Sequence, residues 1–156
     1  MGYSWNEWLR HMSPDVLAEN RDIFQRELAQ QGPGRGAPTE HEEAVALAAW
    51  IRAQEGRYPQ LRYMTHHEAG GHRHGAVAAR IRAEGQRPGV PDYMLYWSNG
   101  RYVGLAIELK RADRSNHPTA EQRAWLDWLA GQGWRCEVAY GVEEAIRVIE
   151  EYLGVG

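Results

Sequence analysis

Ile107-Glu108-Leu109-Lys110 is the stretch on which the fold turns. In an extended chain alternate side chains face the same way, so Glu108 and Lys110 share one face while Ile107 and Leu109 pack on the other. A strand anchored in a core thus aims a carboxylate and an ammonium at one spot. Upstream, Tyr93 to Trp97 and Tyr102 to Leu109 are rich in Tyr, Leu, Val and Ile, and Ser98-Asn99-Gly100-Arg101 between them reads as a tight turn. This pattern predicts a β-hairpin. Antiparallel pairing then brings Asp92, at the start of the first strand, next to Glu108, near the end of the second. Carboxylate oxygens suit hard Mg²⁺; a bound cation neutralises phosphate and lowers the pKa of its water, and a nearby lysine orients or deprotonates that nucleophile. Phosphodiester hydrolysis needs this combination. A Glu and a Lys two apart are also common as a weakly paired exposed face, so the hairpin around them carries the argument.

A chain of 156 residues, 43% hydrophobic with seven Trp and eight Tyr, has enough apolar surface for one compact catalytic domain. Its one cysteine, Cys136, excludes an internal disulfide and reads as a core filler in an apolar strand. No apolar run reaches membrane-spanning length or follows a charged leader, so a cytoplasmic setting is expected. The net charge of −3 is unevenly spread: between Arg73 and Arg114 eight basic residues face four acidic ones, around the carboxylates. Phosphates would need positive charge there, and Arg73, Arg80, Arg87, Arg111 and Arg114 are the candidate DNA contacts; the alternative is an ordinary solvated surface.

Tyr3 to Met12 and Ser13 to Gln31 read as helices, followed by a flexible connector from Gly32 to Pro38. Residues 1–37 are therefore expected to be a helical extension and linker, and 38–156 the domain proper. Thr39 and Glu42 form a capping box for a helix running to about Gln54, whose apolar stripe is Ala44, Leu47, Ala48 and Ile51. At 100° per residue Glu40 falls near the centre of that stripe, Glu43 on its edge and Glu42 opposite. Leu61 to Thr65 reads as the first strand and Gly75 to Ala83 as a short helix. Between them, the four histidines and one glutamate of His66 to His74 could hold zinc, but no paired cysteines accompany them and glycines loosen the loop. Thr119 caps the helix after a polar loop from Ala112 to Pro118. Gln122 either completes that box or points inward beside Leu126 and Leu129 toward Glu108 and Lys110. Trp134 to Tyr140 and Val142 to Leu153 complete the pattern as a core strand and a final helix, with Ala145, Ile146, Ile149, Tyr152 and Leu153 inward.

Gly89-Val90-Pro91-Asp92, then Gly104 to Arg111, then Thr119-Ala120-Glu121-Gln122, resembles the VRR-NUC family of PD-(D/E)XK nucleases, most of all its small stand-alone phage members, from about Pro38 to Leu153. The resemblance implies an α/β fold with a PD-(D/E)XK nuclease-like core, a mixed central β-sheet flanked by helices, behind the N-terminal helical extension. It also implies Asp92 and Glu108 as metal ligands, helped by the Ile107 or Leu109 carbonyl, with Mg²⁺ or Mn²⁺ as cofactor and Lys110 positioning water. Glu40, with Glu43 second, is the choice for the family's helix glutamate, and Gln122 for its site glutamine. The family commonly has a glutamine four residues after that glutamate, where this chain has Ala44, and Asn-Gly-Gly where it has Ala69-Gly70-Gly71. The expected activity is a metal-dependent endodeoxyribonuclease, structure-selective on branched DNA such as Holliday junctions and acting as a homodimer. The competing readings are a catalytically silent DNA-binding protein with the same fold and a zinc-stabilised histidine-loop protein.

Overall fold

The structure, a computed structural model, describes residues 38–67 and 75–155, with side chains at all of these except 75–78. The extension and linker expected over residues 1–37, Arg73, and most of the histidine loop lie outside the described residues. The elements run α1 (Glu40–Gln54), a 3₁₀ turn (Pro59–Tyr63), β1 (Met64–His66), α2 (Gly75–Ala83), β2 (Tyr93–Leu95), β3 (Leu105–Lys110), α3 (Ala120–Gly131), β4 (Arg135–Tyr140) and α4 (Val142–Leu153). The sheet order is β1-β2-β3-β4. β1 and β3 flank β2 antiparallel, while β4 lies parallel to β3 after the α3 crossover. No helix among the described residues is long and apolar enough to cross a membrane.

Every residue of β3 is buried, and its alternation sorts the two faces. Leu105, Ile107 and Leu109 enter one core with Leu47 and Ile51 of α1 and Ala145, Ile149 and Tyr152 of α4. Ala106 enters the other, with Met94 and with Leu126 and Leu129 of α3. Glu108 and Lys110 therefore share the α3 side of the sheet with Ala106, as alternation demands. Cys136 packs beside that second core, and burial pushes its thiol up to about 11, in keeping with a filler.

Three local expectations are corrected. The first strand does not span Leu61 to Thr65: Pro59 starts a 3₁₀ turn that lasts to Tyr63, and pairing begins only at Met64. The hairpin is present but its paired strands are shorter, because polar side chains take over the turn's backbone groups. Asn99 Oδ1 accepts from Arg101 N at 3.0 Å and Tyr102 N at 2.9 Å, and Asn99 Nδ2 donates to Tyr152 O at 3.0 Å. On α1, the capping box of Thr39 and Glu42 forms as expected, yet the fully buried set is Ala46, Leu47, Ala49 and Ile51, with Glu42 and Glu43 buried too. Glu42 is thus not on a solvent side; its Oε2 accepts the Thr39 N–H at 2.6 Å.

The segment leading into β2 is steered by Gly89. Its φ of +84° is a left-handed conformation, and a Cβ there would lie 2.7 Å from the Glu121 carbonyl carbon in the first turn of α3. Only glycine lets the chain pass this close and then turn into Pro91-Asp92. Gly89→Ala is expected to lose about 2–3 kcal/mol of unfolding free energy in urea denaturation, from backbone strain and overlap together.

Candidate active site

β2 and β3 set the geometry. Tyr93 pairs with Ile107, so Asp92, one residue before the strand, stands across from Glu108. Asp92 Oδ2 accepts the Leu109 N–H at 2.8 Å, a side-chain oxygen occupying the place where the ladder would continue. Glu108 is 0% exposed and Lys110 4%. Lys110 Nζ lies 2.6 Å from Glu108 Oε1 and 3.7 Å from Glu40 Oε2. Neither oxygen of Glu108 receives a well-directed hydrogen bond, so the Lys110 contact is a close ion pair and the carboxyl keeps acceptor capacity.

Burial dominates the electrostatics. It pushes the Glu108 carboxyl up to about 8, with the Asp92 charge adding to the push and Lys110 opposing it. Asp92 is raised for the same first reason, against the Leu109 N–H and Lys110. Burial works against charge on Lys110, but Glu108, Glu40 and Asp92 together carry it above the ordinary lysine value. Two facing carboxyls shielded from water both favour their neutral forms, while the ammonium stays charged beside them. The folded state therefore binds a proton that the unfolded chain has lost above the ordinary glutamate value of 4.5. That stability is fully present below this value and is lost as pH rises through about 8.

Glu40, on the first turn of α1, reaches this group through Lys110 and is fixed by a residue that the sequence pattern did not single out: Asn116 Nδ2 donates to Glu40 Oε2 at 2.5 Å. Asn116 Oδ1 in turn accepts the Arg111 N–H at 3.1 Å. Glu43 does different work. Its Oε2 accepts the Val142 N–H at 2.8 Å, capping α4 from another helix because the N-cap, Gly141, has no side chain to do it. Nothing local in the sequence marks this cap, since the partners are 99 residues apart.

Gln122 completes the capping box: it accepts the Thr119 N–H at 2.8 Å and its own N–H donates to Thr119 Oγ1. Among the described residues it makes no hydrogen bond to Asp92, Glu108 or Lys110, so its inward-pointing alternative is not what its side-chain oxygen serves. The arginines differ in freedom. Arg87 is exposed, and Arg80, also exposed, pairs with Glu84 one turn away. Arg111 pairs with Asp113 at 2.9 Å. Arg114, in a left-handed conformation at φ 57°, donates to Glu144 at 2.7 Å and lies 4.2 Å above the Tyr140 ring. Of the histidine loop, His67 meets Thr65 Oγ1 and His66 stacks near Tyr93. Among the described residues no three His, Cys, Asp or Glu side chains form a ligand cluster, so side chains offer a cation two facing carboxylates and no zinc-type set. In EDTA, Glu108→Gln is expected to flatten the fall of stability between pH 6 and 8.5, and to raise the unfolding free energy at pH 8.5 by about 2 kcal/mol in urea titrations.

The model of the VRR-NUC domain matches residues 38–143. A solved VRR_NUC domain protein is similar at 29% sequence identity with a TM-score of 0.64, over 78% of this chain and 93% of the other. No curated protein matches. The matched span holds Glu40, Asp92, Glu108, Lys110 and Asn116, and with the mixed sheet between helices shared as well, the chain belongs to the VRR-NUC family of nucleases.

Proposed function

We propose that the chain is a Mg²⁺- or Mn²⁺-dependent endodeoxyribonuclease, selective for branched DNA such as Holliday junctions and working as a homodimer. The observation that carries the metal-dependent reading is Glu108: a fully buried carboxyl, opposite a second one, with neither oxygen taking a directed hydrogen bond. Such a group fits a hard cation, which needs anionic oxygens and tolerates few alternatives. Asp92 and Glu108 would hold it. The Leu109 N–H bonds Asp92 beyond the last residue of β2, and a strand residue's N–H and C=O share a side. The Leu109 carbonyl is therefore favoured over that of Ile107, which is paired within the sheet against Tyr93. A cation bound there supplies charge neutralisation for the scissile phosphate and acidifies a water.

The chain's own groups do the rest. Lys110, kept cationic by three carboxyls, orients the attacking water for in-line displacement and stabilises negative charge gathering on the phosphoryl oxygens. Glu40, 3.7 Å from Lys110 Nζ, would hold outer waters or a second ion beside it. The DNA backbone is gripped by Arg80, Arg87, Arg111 and Arg114, with Arg73 extending the same basic stretch; Arg80 and Arg87 are freest to reach phosphate. Gln122 supports the site through the start of α3, whose first turn its capping box with Thr119 fixes. Cytoplasmic action in a phage-infected or bacterial cell fits this substrate.

Labelled four-way junction, flap and linear duplex, each with Mg²⁺, Mn²⁺ or EDTA, form the test. Metal-dependent nicking is expected, strongest on the junction, and Lys110→Ala should lower it at least 100-fold while the exposed Arg147→Ala leaves it within twofold. Junction binding without cleavage in either metal would make the chain a silent DNA-binding module instead. Light scattering at working concentration checks the dimer, and a monomer mass removes the homodimer proposal. Because a cation competes with protonation of the Glu108 carboxyl, raised to about 8, the rise in melting temperature on adding Mn²⁺ is expected to be larger at pH 8.5 than at pH 6.5, and absent in Glu108→Gln.

A further inference from the structure

We propose that Asn116 is a positioning residue of this site, its amide nitrogen holding the Glu40 carboxylate beside Lys110 while its amide oxygen anchors the loop that follows β3. The inference rests on the nuclease reading above for its catalytic consequence, though not for the contact itself.

Glu40 needs such a tether. Its side chain is 41% exposed, and its distance to Lys110 Nζ, 3.7 Å, is that of a loose ion pair and not of a hydrogen bond. A glutamate so placed has three torsions to sample and little to choose among them. The 2.5 Å bond from Asn116 Nδ2 to Oε2 supplies the choice, and it is a bond to a charged acceptor, the stronger kind. The other end of the amide is fixed independently: Asn116 Oδ1 takes the Arg111 N–H at 3.1 Å, directly after Lys110 in the chain. One planar group therefore links the end of β3 to the first turn of α1, across 76 residues. An aspartate could hold the loop through the same acceptor, but it could not donate to Glu40. The choice of asparagine thus separates the two tasks.

Asn116→Asp exploits this difference, since it keeps the acceptor for Arg111 and replaces the donor with a second negative charge. On junction DNA in Mg²⁺ it is expected to lower kcat 10- to 100-fold with KM within twofold, while Ser115→Ala, in the same loop, leaves kcat unchanged. The contact is read separately in EDTA by melting: Asn116→Asp alone lowers Tm as two carboxylates meet, and adding Glu40→Gln, which restores a donor and an acceptor with their roles reversed, recovers at least half of that loss. Wild-type kcat in Asn116→Asp, or Tm changes that simply add, would overturn the proposal. If the wild-type chain cuts no substrate, the nuclease reading fails on its own account, and the melting series still decides whether Asn116 holds Glu40.

Discussion

A carboxyl group placed in the middle of a sheet, opposite another carboxyl and away from water, costs several kcal/mol before any partner is counted. Glu108 is that group, and the neighbouring structure is arranged around keeping it there. Leu105, Ile107 and Leu109, alternating along the same strand, are fully or almost fully buried against α1 and α4. At roughly 1.5–3 kcal/mol for each such side chain, they offset a burial of this size. Lys110 closes on Glu108 from two residues further along, and the raised pKa of Glu108, which favours its neutral form, relieves what remains of the repulsion. Stability is thus invested on one face of β3 and strain is held on the other.

The consequence for chemistry is a site whose members come from elements of very different firmness. Glu108 and Lys110 ride on the most deeply buried strand, and Asp92 is locked to it through the Leu109 amide. Glu40 stands on a partly exposed first turn and depends on a loop residue for its placement. On the proposed nuclease reading, the two firmly held carboxylates, Asp92 and Glu108, would hold the cation, and the tethered third would adjust to solvent or a further ion.

Periodicity and turn chemistry made much of this legible before any coordinates. The two-residue alternation of Ile107 to Lys110 predicted which side chains share a face, and the box residues Thr39, Glu42, Thr119 and Gln122 predicted two helix starts to the residue. What escaped was set by tertiary contacts. A helical wheel drawn on Ala44, Leu47, Ala48 and Ile51 put Glu42 opposite the apolar stripe, because small alanines on every side of α1 leave the wheel with no clear axis. Leu61 looked like strand because the alternation of Leu61, Arg62, Tyr63 and Met64 outweighed one proline. Asn116 and Glu43 belong to a different class: each is an ordinary polar residue in the sequence, and acquires meaning only from a partner 76 or 99 residues away.

The cap that Glu43 provides has a mechanical side. It lies three residues beyond Glu40 on the same helix and clasps the opening turn of α4, while that helix's Glu144 grips Arg114 in the loop carrying Asn116. Glu40, beside Lys110, is thereby tied into a ring of linkages: helix to helix, helix to loop, loop back to helix. Loosening one link slackens the others, so a substitution at Glu144, outside the cleft, should loosen the placement of Glu40 beside Lys110.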